Sequence, residues 1–272
     1  MLQSASSSLS IIARRAVGCS HPGPCCIFPG YPQGSCPSPE LFKCASKVIG
    51  CIDHNANYLS LLNTSINTIS LIRQPYTRAI SGFFYARNDK ISRSIHHNTD
   101  CKLTLEECFV KYTRDSRFSN IVVKLLTGAD AYADNVETCP LKKDCNNSLE
   151  LALDNLKYVK AIGVSEMWEL SLLLLHLKIP AIPPLFDDFN LVNNRTRRGI
   201  RMNNDRIYKP FQTFAKSRYK NELLQQSNFD LAVYKSVVRS MCSDLHVYNL
   251  WKYDIVKKYW IEKSPVKTKS CS

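Results

Sequence analysis

The sequence predicts an α/β domain with a central parallel sheet flanked by helices, and three observations carry that prediction. Short apolar or β-branched runs at residues 47–52, 67–72 and 159–164 alternate with stretches of helical period, the order that buries a parallel sheet between crossovers. The 272 residues are 44 % hydrophobic and 22 % charged. That composition belongs to a globular chain and excludes a disordered one. Lys and Arg exceed Asp and Glu by 36 − 23 = 13, which asks for a polyanionic partner. One domain over residues 1–262 is expected, with a basic C-terminal tail at 263–272.

The elements follow in chain order. Leu9, Ile12, Ala13 and Ala16 recur at helical spacing after a Ser cluster, so the chain is expected to start with a short helix. Residues 19–44 are rich in Cys and Pro and are expected to form an insertion loop. A buried strand is expected at 47–52, a helical turn at 58–62 and a second strand at 67–72. Pro75 opens a helix, since proline is tolerated in a first turn, with Ala79, Ile80, Phe83 and Phe84 inward. At 103–112 an amphipathic helix has Thr104 as N-cap and Glu107 three residues on, the spacing of a capping box. Helices are expected at 148–156, 165–177, 218–224 and 231–245, and a third strand at 159–164. Residues 193–206 read as a basic, Asn-rich loop. No internal repeat is present.

Twelve cysteines are many for a reducing compartment. Zinc needs ligand pairs at short spacing. Cys25, Cys26, Cys36 and Cys44 contain no CxxC, and Cys139 and Cys145 stand far apart. Disulfides in a secretory lumen therefore fit better than metal, and sequons at Asn63, Asn146 and Asn194 agree. The longest apolar run, 170–177, is shorter than the roughly 20 residues that span a bilayer. Arg14 and Arg15 follow the first apolar stretch, the reverse of a secretory signal. No zinc, RRM or helix-turn-helix signature points to nucleic acid.

The most informative segment is 69–85, ISLIRQPYTRAISGFFY. A strand ends in Arg73, Pro75 starts a helix, and Ser81 lies on it. An arginine at a strand's carboxyl end and a hydroxyl on the next helix can converge on one anion, aided by the helix dipole. Ligands of open α/β sheets sit at that edge. With Arg78, Phe83 and Tyr85 the string resembles the 3′-phosphate-binding motif of carbohydrate sulfotransferases that use 3′-phosphoadenosine 5′-phosphosulfate. The likeness extends to uronyl and heparan 2-O-sulfotransferases and to algal and protist enzymes.

Six further segments carry the resemblance, which runs in the family's order. His54, after Asp53 at the end of the first expected strand, stands where those enzymes place the base that deprotonates the acceptor hydroxyl, a task suited to imidazole. Ser6, Ser7 and Ser8 before Leu9 resemble the second half of the phosphosulfate loop. Gln3 stands in place of its Lys, Leu2 of its Pro and Ala5 of its Gly, and the strand before it is missing. Residues 162–172, IGVSEMWELSL, resemble a strand-to-helix element in which Ser165 would cap the helix and Glu166 sit in its first turn. Residues 120–128 and 228–234 resemble two more structural segments, offering Lys124 as an anion contact or a solvated charge and Asp230 as an N-cap. The loop at 193–201 carries Arg195, Arg197, Arg198 and Arg201, and Arg198 is the expected contact to the nucleotide phosphates.

What the resemblance implies is a P-loop-like fold lacking its first strand. It also implies transfer of a sulfuryl group from 3′-phosphoadenosine 5′-phosphosulfate, as co-substrate, to a glycan or proteoglycan hydroxyl. His54 would be the base; Arg73, Ser81, Ser6, Ser7, Ser8 and Arg198 would hold the donor, with no metal. The family's setting is the Golgi lumen, with membrane attachment only through an anchor outside this chain. The absent Lys leaves an alternative: a truncated, non-catalytic relative that binds anions or glycans.

Overall fold

The computed structural model describes residues 69–88, 104–114, 119–127, 142–180 and 201–264. They form an α/β unit, mostly helical, around a two-stranded parallel sheet. Strand β1 (Ile69–Ile72) pairs with β2 (Ala161–Val164) in the register Ile69↔Ala161 to Ile72↔Val164. Both strands therefore end at the same edge of the sheet. Helix α1 (Pro75–Asn88) follows β1, and a 3₁₀ turn (Ser165–Met167) follows β2. The other helices are α2 (Leu105–Arg114), α3 (Ile121–Leu126), α4 (Lys142–Leu156), α5 (Trp168–Lys178), α6 (Arg201–Gln226), α7 (Asn228–Val247) and α8 (Asp254–Lys263). The expected strand at 47–52, the N-terminal helix, the 19–44 loop and the tail beyond 264 lie outside the described residues.

Two apolar clusters hold the unit. One joins the sheet to α3, α4, α5, α7 and α8 through Val164, Met167, Leu174, Val237, Met241 and Trp260. The other packs α1, α2 and α6 through Ile80, Phe83, Phe109 and Phe211, with Phe109 edge-on to Phe83 and to Phe211 at ring separations of 5.3 and 5.2 Å. Ile80, Phe83 and Phe84 face inward as expected, because positions three and four apart share a helix face. Gly163 is required by packing. A Cβ there would lie 2.4 Å from Ser171 Cβ, and Ser171 Oγ accepts from the Val164 N–H and donates to its carbonyl.

Several sequence expectations shift. The capping box at α2 forms: Thr104 N–H donates to Glu107 Oε2 at 2.9 Å, and Glu107 N–H to Thr104 Oγ at 3.3 Å. The Thr104 hydroxyl, which donates to Glu107 Oε2 at 2.7 Å, and secondarily the Thr104 N–H favour the charged carboxylate and lower the Glu107 pKa. Ser165 does not cap a helix; it opens the 3₁₀ turn, and α5 starts only at Trp168. Asp230 is not an N-cap either. Ser227 takes that position, and Asp230 sits in the first turn of α7. Lys124 is not a solvated charge, being only 6 % exposed. The loop expected to 206 gives way at Arg201 to α6, which runs on through Pro210 to Gln226. The expected boundary at 262 falls inside α8, which ends at Lys263.

Candidate functional site

The parallel register brings Arg73, the first residue after β1, beside Ser165, the first after β2. Arg73 is half-buried, and its Nε donates to Ser165 Oγ at 3.3 Å. Among the described residues it has no carboxylate at ion-pair distance. This is a guanidinium at the carboxyl edge of a parallel sheet, held by a neutral hydroxyl.

Glu166, the next residue, gathers the surrounding polar groups. Its Oε1 accepts from the Gln74 N–H at 3.0 Å and from Thr77 Oγ at 2.9 Å. Its Oε2 accepts from Tyr234 Oη and from Ser165 Oγ, each at 3.2 Å. Burial, and secondarily the Glu166 charge, push the Tyr234 phenol far above its ordinary value, so it stays a hydrogen-bond donor. Tyr76 shifts the same way for the same causes. Glu166 therefore caps a helix, but that helix is α1 rather than its own. The α1 terminus was expected to lend its dipole to an anion; the Gln74 N–H goes to this carboxylate instead.

Arg78 takes no part in the site. It is 5 % exposed and paired through Nη1 with Asp230 Oδ2. The other Asp230 oxygen accepts from the Val123 N–H at 2.9 Å, which satisfies the start of α3. Asn120, in the left-handed region at φ 47°, returns the service: its Oδ1 accepts from the N–H groups of Phe229 and Asp230. The ends of α3 and α7 thus cap each other, and Arg78 neutralises the carboxylate between them.

Ser81 is half-buried on α1, four residues beyond Thr77. It lies on the Thr77 face, about 6 Å further along the axis. The structure thus places Arg73 at the sheet edge and Ser81 one turn above the Thr77–Glu166 bond. No direct bond joins them among the described residues, and a bridging group would have to span the gap. His54, Ser6, Ser7, Ser8 and Arg198 lie outside the described residues. Nothing local in the sequence marks Tyr234 or Thr77, whose roles arise from contacts over 68 and 89 residues. The apolar void beside the sheet, lined by Ile72, Val122 and Ile162, holds about 20 Å³, too little for a ligand. No group of three metal-ligating side chains occurs among the described residues, and none of their helices is long and apolar enough to cross a membrane.

No family model, curated protein or solved structure matches the chain.

Proposed function

We propose that the chain is a carbohydrate sulfotransferase of P-loop-like fold, with Arg73 and Ser81 binding the 3′-phosphate of 3′-phosphoadenosine 5′-phosphosulfate. One observation carries this: a half-buried arginine stands at the carboxyl edge of a parallel sheet with only a hydroxyl as partner among the described residues. Such a guanidinium gains most from a dianionic ligand. In the reaction, His54 takes the proton of a sugar hydroxyl. The hydroxyl oxygen bonds to sulfur as the bond from sulfur to the bridging phosphate oxygen breaks, and adenosine 3′,5′-bisphosphate leaves. Ser6, Ser7, Ser8 and Arg198 contact the phosphosulfate end. Positioning and fixed charge supply the rate. The twelve cysteines are in keeping with a Golgi-lumen setting.

Adenosine 3′,5′-bisphosphate is expected to raise the melting temperature of the full chain. Arg73→Ala is expected to weaken its binding roughly tenfold to a hundredfold, the worth of charge-assisted hydrogen bonds, and to shrink the shift accordingly. An equal shift in the variant would remove the assignment. A second reading, a non-catalytic anion- or glycan-binding domain, is favoured by Gln3 standing where the phosphosulfate loop of the resembled family has its Lys. It predicts nucleotide binding without sulfuryl transfer.

A further inference from the structure

We infer that Ser165 is a positioning residue of the anion site: it grips Arg73 by Nε and turns the Nη1/Nη2 edge of the guanidinium toward the ligand. This rests on the sulfotransferase reading above, which assigns Ser165 no role. A guanidinium offers a planar fork of five N–H groups. Ser165 Oγ engages Nε at 3.3 Å, while Nη1 and Nη2 have no partner among the described residues. The direction of the chain follows from donor and acceptor chemistry. A carboxylate only accepts, so Ser165 Oγ, 3.2 Å from Glu166 Oε2, gives its single hydrogen there. Its lone pairs are left for Arg73 Nε–H.

Glu166 is itself fixed by Gln74, Thr77 and Tyr234. The end of β1, the start of α1, the turn after β2 and helix α7 are thereby tied to one carboxylate. A short polar side chain backed by three elements holds the arginine in one rotamer, and preorganisation of that kind raises affinity for a group of matching shape. The edge without a partner among the described residues fits a tetrahedral oxyanion ester bound through two oxygens.

The test compares Ser165→Thr with Ser165→Val, which share a shape and differ in the hydroxyl. Calorimetry on the full chain gives dissociation constants for adenosine 3′,5′-bisphosphate and adenosine 5′-monophosphate, and their ratio reports the 3′-phosphate alone. The ratio should persist in the Thr variant and fall about tenfold in the Val variant, with the two unliganded melting temperatures alike. Equal ratios in Thr and Val variants overturn the inference, since a packing role moves the melting temperature and leaves the ratio. If Arg73→Ala also leaves the ratio at its original value, the phosphate site itself is lost. In the unmutated chain, the Arg73 Nε–H resonance, assigned by its disappearance in Arg73→Lys, should exchange slowly with solvent; fast exchange overturns the inference even if the Val variant does not fold.

Discussion

Arg73 and Arg78 stand five residues apart in one segment and have opposite fates. Arg78 is buried against Asp230, with its Nη2 unbonded among the described residues, so its charge serves the joint between α1, α3 and α7. Removing the carboxylate leaves a buried cation uncompensated and also strands the Val123 N–H. Asp230→Ala is therefore expected to destabilise the chain by about 3–5 kcal/mol, measured by urea unfolding; a loss under 1 kcal/mol would show that the joint relaxes. Both arginines fit the motif equally well as letters. What separates them is the partner each meets, a carboxylate for one and a hydroxyl for the other. Ser165 makes the same point: a natural N-cap by residue type, it bonds Arg73 instead because the parallel register sets the two strand ends side by side.

At the scale of the element, α2 was legible because its signals are local: Thr104 and Glu107 satisfy each other within one turn. Helix α3 was not. Its IVVKLL sequence is β-branched at the start and buried on every side, so it has no amphipathic period. Distant residues supply its end contacts, Asp230 at Val123 N–H and Asn155 Nδ2 at the Leu126 carbonyl. Helix α8 escaped for a related reason. Ile255 and Ile261 are exposed, and one residue, Trp260 at 1 % exposure, carries its burial. Trp260→Ala is expected to cost about 3–5 kcal/mol through the cavity left. Trp260→Phe should cost clearly less, because the indole N–H has no partner to lose among the described residues. Thermal melts of the two variants check the order, and equal losses would place the effect elsewhere.

Across the whole molecule, catalysis as proposed needs His54, before β1 in the chain, to face the same sheet edge as Arg73. His54→Ala is expected to lower sulfuryl transfer 10²-fold or more, the usual scale for a general base, and to leave adenosine 3′,5′-bisphosphate binding unchanged; joint loss of both would make the imidazole structural. The sequence by itself determined the alternation of strand and helix, the basic charge, the capping box and the inward face of α1. Each depends on periodicity or on neighbours within a turn. Only the tertiary structure decided which arginine is neutralised, which helix Glu166 caps and how α3 is terminated. Those outcomes depend on hydrogen bonds between groups 29 to 152 residues apart, and a buried donor or acceptor is satisfied by whatever the fold brings within about 3 Å, not by what stands beside it in the chain.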